Sequence, residues 1–308
     1  MTDYSYRIEE LLDRLDHLKD SSLLITLQEV ERQTLFDVIR LEIVDLLSMA
    51  FSDGDKVVRR SSIYGLSKIG VDKSVDIFLQ AIKDTDDHVR GWAAEGLGRA
   101  RDPHSVMVLI KALGDDNHYV SFSAANALRH FGPERILQPL LTAVFDSEVR
   151  VRRRACKLLG EFADKRATAS LIQAIRDPDA DVRYEAAEGL RKIGDETAIP
   201  ALIAALQDQS RDVRFAAVTG LSNFKDAQAI SPLIKIMAEQ RDLRYAALDA
   251  LRSIGGEQIL AVIMELLRTQ KRLINETTAA VISLLIKEQA DEAAFMEKNQ
   301  PSGTSEAN

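Results

Sequence analysis

Cysteine is almost absent from this chain: Cys156 is the sole one in 308 residues. That excludes an intramolecular disulfide framework and fits a protein of a reducing, cytoplasmic compartment. Long apolar runs are missing too. The stretch from Ile259 to Met264 stops at Glu265, far short of the ~20 residues a membrane helix needs. The opening, Met1 to Glu10, carries Asp3, Arg7, Glu9 and Glu10 where a secretion signal would have an apolar core. Asn275-Glu276-Thr277 matches a glycosylation sequon only by chance on that reading. Positive charge is in deficit. With 40 basic and 48 acidic residues the formal net charge is −8, which argues against nucleic acid or anionic lipid as the main partner.

Signatures of chemistry are equally sparse. There is no phosphate-binding loop, and Gly96-Leu97-Gly98 lacks the third glycine and the preceding strand of a dinucleotide site. The histidines His17, His88, His104, His118 and His130 are scattered, with no metal-ligand spacing. No serine nucleophile elbow and no Cys–His pairing can be named. The expectation is a non-catalytic protein without a cofactor or metal. A hydrophobic content of 46% beside 29% charged residues still demands a packed core.

What the sequence has in abundance is a repeat. An apolar anchor, an arginine, two variable residues, two small residues and a leucine recur in order. The anchors are Val58, Val89, Val120, Val151, Val182, Val213 and Leu243, spaced by 31, 31, 31, 31, 31 and 30 residues. Upstream, Phe78, Leu109, Leu140, Leu171, Leu202 and Leu233 form one column, and Ile82, Leu113, Val144, Ile175, Leu206 and Met237 another. Both halves place apolar residues at helical spacing, so each copy is two helices, A then B. Asp55, Asp86, Asn117, Glu148, Asp179, Ser210 and Gln240 stand where helix B needs an N-cap. Gly70, Gly132, Gly194 and Gly255 stand where it ends. Asp102, Asp164, Asp195 and Asp226 suit the turn into the next helix A, and Pro139, Pro200 and Pro232 fall near its first turn. No stretch alternates with period two for long enough to suggest a strand.

Two ionic columns accompany the pattern. Asp53, Asp84, Asp115, Asp146, Asp177 and Asp208 lie five residues before the anchors, and Glu239 four before the last. Arg59, Arg90, Arg152, Arg183, Arg214 and Arg244 lie one residue after, with Ser121 the exception. The spacing predicts a ladder of ion pairs within or between neighbouring repeats. Glycines 65, 96, 189 and 220 at offset 7 of helix B predict close approach of a neighbouring helix, and Cys156 reads as a small core residue. Residues 39–256 are thus seven repeats. Residues 1–38 read as degenerate capping helices (Tyr6–Asp20 and Leu23–Phe36, with the first clear helix A at Ile39–Phe51). Residues 257–288 read as a degenerate C-terminal capping repeat (Glu257–Arg268 and Leu273–Lys287), and 289–308 as a mostly disordered tail.

The unit Asp179, Val182-Arg183, Ala186-Ala187, Leu190, Ile193-Gly194-Asp195, Ile199-Pro200 and Leu202 resembles the HEAT-like repeat of phycobilisome lyases. The resemblance implies an all-α, right-handed α-α superhelical solenoid whose B helices line a concave face. It also implies scaffold, adaptor or chaperone work on another protein. A second implied reading is a bilin lyase subunit acting with a second HEAT-like subunit; a third is a nucleic-acid-binding solenoid, against which the acidic charge argues. A di-iron hydroxylase of similar architecture is disfavoured because no His-Glu dipeptide occurs.

Offsets 2, 3, 6 and 10 of helix B should face away from the helical layers. They supply a candidate partner-binding set: Arg60, Tyr64, Trp92, Glu95, Arg99, Phe122, Asn126, Arg153, Arg154, Lys157, Tyr184, Glu188, Phe215 and Tyr245. Aromatic and arginine side chains are the common anchors of protein interfaces. The alternative is that the offset-2 aromatics, Phe122 and Phe215 before the tyrosines, are core. Glu185 and Lys192 fall on the same offsets.

Overall fold

A single repeat cannot bury its apolar stripe alone, so the fold must be built by stacking. The computed structural model describes residues 29–255 apart from 53, 70 and 71, together with 258, 259, 262 and 283; side chains are described from residue 38 onward, except at 39 and 72. Among the described residues there are fourteen α-helices and no strand. They are α1 (Glu29–Phe51), α2 (Lys56–Ile69), α3 (Val75–Ala81), α4 (Asp87–Ala100), α5 (Ser105–Ala112), α6 (His118–Phe131), α7 (Pro133–Ala143), α8 (Val149–Phe162), α9 (Thr168–Ala174), α10 (Ala180–Ile193), α11 (Ile199–Ala205), α12 (Arg211–Phe224), α13 (Ile230–Glu239) and α14 (Arg244–Ile254). Odd numbers are the A helices and even numbers the B helices. None of the described helices is long and apolar enough to cross a membrane. Asp53, Gly70, the helices expected at Tyr6–Asp20, Glu257–Arg268 and Leu273–Lys287, and the tail at 289–308 lie outside the described elements. The 38/39 boundary falls inside α1, which extends back to Glu29 through most of the expected Leu23–Phe36 helix.

The chain divides into two compact units, Met1–Leu158 and Leu159–Asn308, with the division inside α8. In the first, α2 packs on α4 and α4 on α6, while α1, α3 and α5 back onto α2, α4 and α6. In the second, α10 packs on α12 and α12 on α14, with α9, α11 and α13 behind them. The columns read from the sequence are the core. Phe78, Leu109 and Leu140 of the first unit and Leu171, Leu202 and Leu233 of the second are all 0% exposed. Each such residue contributes about 1.5–3 kcal/mol of burial. Cys156 is buried among them.

Close approach explains the small residues. A Cβ on Gly98 would lie 2.5 Å from the Ala127 Cα, and one on Gly160 would lie 2.5 Å from the Gly189 Cα. At Gly65, Gly96 and Gly220 the space is instead taken by Leu47, Phe78 and Leu202, large residues of the repeat's own helix A.

The ion pairs join successive repeats. The Arg59, Arg90 and Arg183 guanidiniums donate to Asp84, Asp115 and Asp208 through Nε at 2.8, 2.8 and 2.7 Å. A second donor, Nη2, completes each fork at 3.2, 3.0 and 2.9 Å. The remaining nitrogen, Nη1, donates to a carbonyl of the arginine's own turn, Gly54, Asp84 and Asp177 respectively. The acid meanwhile accepts the backbone N–H two residues ahead, as Asp84 does from Asp86 and Asp208 from Ser210. Where Ser121 interrupts the arginines, Lys111 of α5 pairs with Asp146 at 2.8 Å. At the seventh repeat the pattern shifts: Arg214 donates to Gln240 at 2.8 Å and lies 3.7 Å from Asp242, so Glu239 is not its partner. There α13 runs on to Glu239, and Arg244 turns to the Met237 carbonyl.

The turns follow from local chemistry. Asp86, Asn117 and Asp179 accept N–H bonds from the first turns of α4, α6 and α10, whereas Ser210 makes no side-chain cap bond. Asp102, Asp164, Asp195 and Asp226 each accept the N–H two residues on. Pro139 sits inside α7 instead of near its start, because Gly132-Pro133 begins that helix early. Beyond the expected glycines, the left-handed position after helix B is also occupied by Arg101, Ala163 and Lys225, at φ 52°, 52° and 55°. A left-handed L-residue costs roughly 1–2 kcal/mol, so Ala163→Gly should raise stability by about 1 kcal/mol in denaturant titration; no gain would show that the turn is not strained.

Arg183→Ala should destabilise the second unit by about 2 kcal/mol, the usual worth of hydrogen bonds to a charged group. Burial pushes the Asp208 carboxyl up, but bonds from Arg183 and the Ser210 N–H outweigh it and hold it below the ordinary 3.8. Its contribution is therefore present above that value and is lost as pH falls through the lower folded value. The wild type should lose this increment only below about pH 4, and Arg183→Ala should lack it at neutral pH. Equal stability of the two proteins at pH 7 would contradict the ladder.

Candidate functional site

The even helices present the residues that the repeat leaves over once its core and turn edge are assigned. The structure exposes four of the six candidate rings: Tyr64 is 48% accessible, Phe122 55%, Phe215 43% and Tyr245 80%. Trp92 and Tyr184 are half-buried. Phe122 and Phe215, which the core alternative places inside before the tyrosines, are thus on the surface. Offset 3 behaves differently from the expectation. Glu185 is only 8% exposed and Ser123 2%, because that side of helix B turns toward the adjacent helix of the stack.

In the first unit the rings form a cluster. Tyr64 meets Trp92 edge-on, with centroids 5.1 Å apart. His88 lies between Trp92 and Tyr119, 5.5 and 6.0 Å from their centroids. His118 stacks on Phe122 at 6.2 Å. His88, His118 and Tyr119 escape a reading by offset, since they lie just before the anchors. One signal for Tyr119 was present: Gly91 leaves offset 2 of α4 empty, and a Cβ there would lie 2.1 Å from the Tyr119 ring. The Tyr119 hydroxyl donates to Glu95 at 3.0 Å, and burial, aided by Glu95, pushes its pKa up to about 12.

The polar candidates differ in their surroundings. Arg60 forks onto Asp86 with two bonds of 2.8 Å. Asn126 accepts from Arg129 at 2.6 Å. Arg99 donates to the Ser67 carbonyl and Arg154 to the Leu113 carbonyl. Arg153 and Lys157 are exposed. Burial, then the neighbouring Arg153 and Arg150 charges, hold the Arg154 guanidinium below its ordinary value. In the second unit Glu188 accepts from Arg191 at 2.8 Å. Burial, then Glu188 and Glu185, raises the Tyr184 pKa. Phe215 and Tyr245 stand on α12 and α14. Among the described residues no group of three or more His, Cys, Asp or Glu could hold a metal ion.

A family model for HEAT repeats matches residues 43–129, 76–150, 106–178, 137–221 and 168–252. The chain belongs to the HEAT-repeat family. A model for the PBS lyase HEAT-like repeat also matches, at residues 243–269. No curated protein matches the chain. Among solved structures, the HEAT protein Kap95p, which binds RanGDP, is 15% identical at a TM-score of 0.52, covering 84% of this chain and 42% of its own. YibA of E. coli is 22% identical at a TM-score of 0.46, over 80% of this chain and 95% of its own. The CpcE–CpcF phycocyanin lyase complex of Nostoc sp. PCC7120 is 18% identical at 0.35, over 79% and 94%. At such identities Kap95p supports the HEAT fold alone, and the other two carry no functional argument.

If the ring cluster is surface and not core, the double variant Tyr64→Ala/Phe122→Ala should cost less than about 1 kcal/mol in denaturant unfolding. A loss of several kcal/mol would make these rings structural.

Proposed function

We propose that this HEAT-repeat protein is a non-catalytic binding module, a scaffold, adaptor or chaperone for another protein, which it holds along the faces of its even helices. The observation that carries the reading is the exposure of large rings on the even helices, Phe122, Phe215 and Tyr245 at one repeat position and Tyr64 at another. Tyr64, Phe122, Phe215 and Tyr245 remain accessible on helices whose opposite sides are fully packed. Single exposed apolar residues need no explanation, but a pair of exposed rings on the even helices of each unit, Tyr64 with Phe122 and Phe215 with Tyr245, marks an interaction surface there. Half-buried Trp92, held by Tyr64 and His88, has the character of an interface hot spot: large, rigid and already partly desolvated.

The basic cluster Arg153, Arg154 and Lys157 supports an acidic element in that partner. The buried Cys156 and the scarcity of cysteine favour work in a reducing, cytoplasmic compartment. The test is affinity capture from native extract with wild type and Trp92→Ala, followed by titration of the captured protein. Trp92→Ala should weaken binding by about 2 kcal/mol, roughly thirtyfold, with a near-native melting curve. Equal binding by the variant would remove the face from the account.

A further inference from the structure

Two populations of cation occupy the first unit, and they are treated differently. On the turn edge, Arg59 and Arg90 are each gripped by a carboxylate. On the even-helix face Arg60 is likewise held by Asp86, but Lys68, Arg99, Arg154 and Lys157 have no carboxylate partner among the described residues. Lys68 Nζ lies 5.2 Å over the Tyr64 ring, and Arg99 and Arg154 donate to the backbone carbonyls of Ser67 and Leu113. In a chain with 48 acids against 40 bases, carboxylates are in surplus, so cations left without them mark where a partner's negative charge belongs.

Two of these cations form a row with a histidine. Lys68, Arg99 and His130 occupy one repeat position on α2, α4 and α6, each 31 residues from the last, and all three are exposed. Arg99 reaches back across α2 to the Ser67 carbonyl, which brings its guanidinium to the turn that carries Lys68. Lys157 continues the positive charge on α8, one helical turn nearer its N-terminus. In the second unit the same position reads Glu161, Lys192, Asn223 and Ser253, so the charge row belongs to the first.

The spacing of that row selects a ligand conformation. Packed helix axes lie ~8–10 Å apart. A polyproline II strand turns once in three residues, an advance of ~9 Å. One side chain in three therefore meets one helix after another, in step with the repeat. Resting on the binding-module reading above, we propose that the even-helix face of the first unit receives an extended acidic peptide segment with a carboxylate at every third residue, held by Lys68, Arg99 and His130. Tyr64, Trp92 and Phe122 flank the row and offer ring faces to the apolar residues between the carboxylates, prolines above all. A nucleic acid fits less well. Asp87, 40% exposed, and Glu95 stand among the cations and would repel a continuous run of phosphates more than carboxylates spaced three residues apart.

The test uses the full chain and labelled peptides of defined sequence, read by fluorescence anisotropy. One probe is four Glu-Pro-Pro triplets. A second has the same composition with its glutamates in one block, a third has lysine for glutamate, and a fourth is a short oligothymidylate of matching charge. The spaced acidic peptide should bind about tenfold or more tighter than the blocked and basic ones. Lys68→Glu/Arg99→Glu, melting as the wild type does, should lose it and prefer the lysine peptide. Equal affinity for spaced and blocked peptides, no binding of either, or tighter binding of oligothymidylate would overturn the proposal. If such a result came with intact Trp92-dependent protein capture, the acidic-strand inference alone would fall; loss of that capture as well would take the binding-module reading with it.

Discussion

Everything in this molecule hangs on an arginine that leaves its own repeat to find its acid. Arg59, Arg90 and Arg183 each close a two-bond fork on the aspartate of the next repeat while a third nitrogen holds the arginine's own turn. The aspartate in turn fixes its own loop by accepting an N–H two residues ahead. One pair thereby sets the shape of two turns and the register between them. The net energy of a half-buried ion pair is modest, because desolvation opposes the Coulomb gain. Leucine, valine and alanine burial supplies the bulk of stability. The pair supplies specificity: it decides which neighbour packs where, and so makes equivalent residues recur at equivalent places.

That register gives the even helices their second surface. Within each unit the even helices are backed by odd helices and packed against one another. What remains is free of structural duty, and the sequence there no longer follows the repeat: Tyr64, Glu95, Asn126 and Lys157 share one position, and Lys68, Arg99 and His130 another. Variation in chemistry on a regular scaffold is the means by which a solenoid acquires a particular partner. In the first unit the charge left without a carboxylate is positive and the exposed apolar surface is aromatic, the combination on which the proposed acidic partner segment rests.

The paired-helix fold was legible because burial leaves a periodic trace. The anchors, the Leu109–Leu140–Leu171 column and the aspartate caps recur at a fixed interval, and each is found in its expected role. The exceptions have physical causes. The left-handed turn at Arg101, Ala163 and Lys225 is invisible when glycine is the marker sought, since the stack imposes the conformation on residues that disfavour it. Glu185 and Ser123 look exposed on a lone helix and are buried in the packed structure. Pro139 moved inward because Pro133 offered an earlier helix start. The ladder's seventh step failed because a one-residue deletion displaced Glu239. His88 and Tyr119 joined the ring cluster through packing between α4 and α6, which spacing within one helix cannot encode. The offsets did place Tyr64, Phe122, Phe215 and Tyr245 outward, and the structure exposes all of them.

The central claim is that the even-helix face is the working surface and the odd-helix side is not. Hydroxyl-radical footprinting of the chain, alone and with its captured partner, addresses it directly, because exposed oxidisable side chains lie on both sides. Tyr64 and Phe122 stand on α2 and α6, while Met107 on α5 and Phe145 after α7 are each 54% exposed. The account predicts that the partner shields Tyr64, Trp92 and Phe122 and leaves Met107 and Phe145 as reactive as before. Shielding of Met107 and Phe145 with Tyr64 and Phe122 unchanged would contradict it.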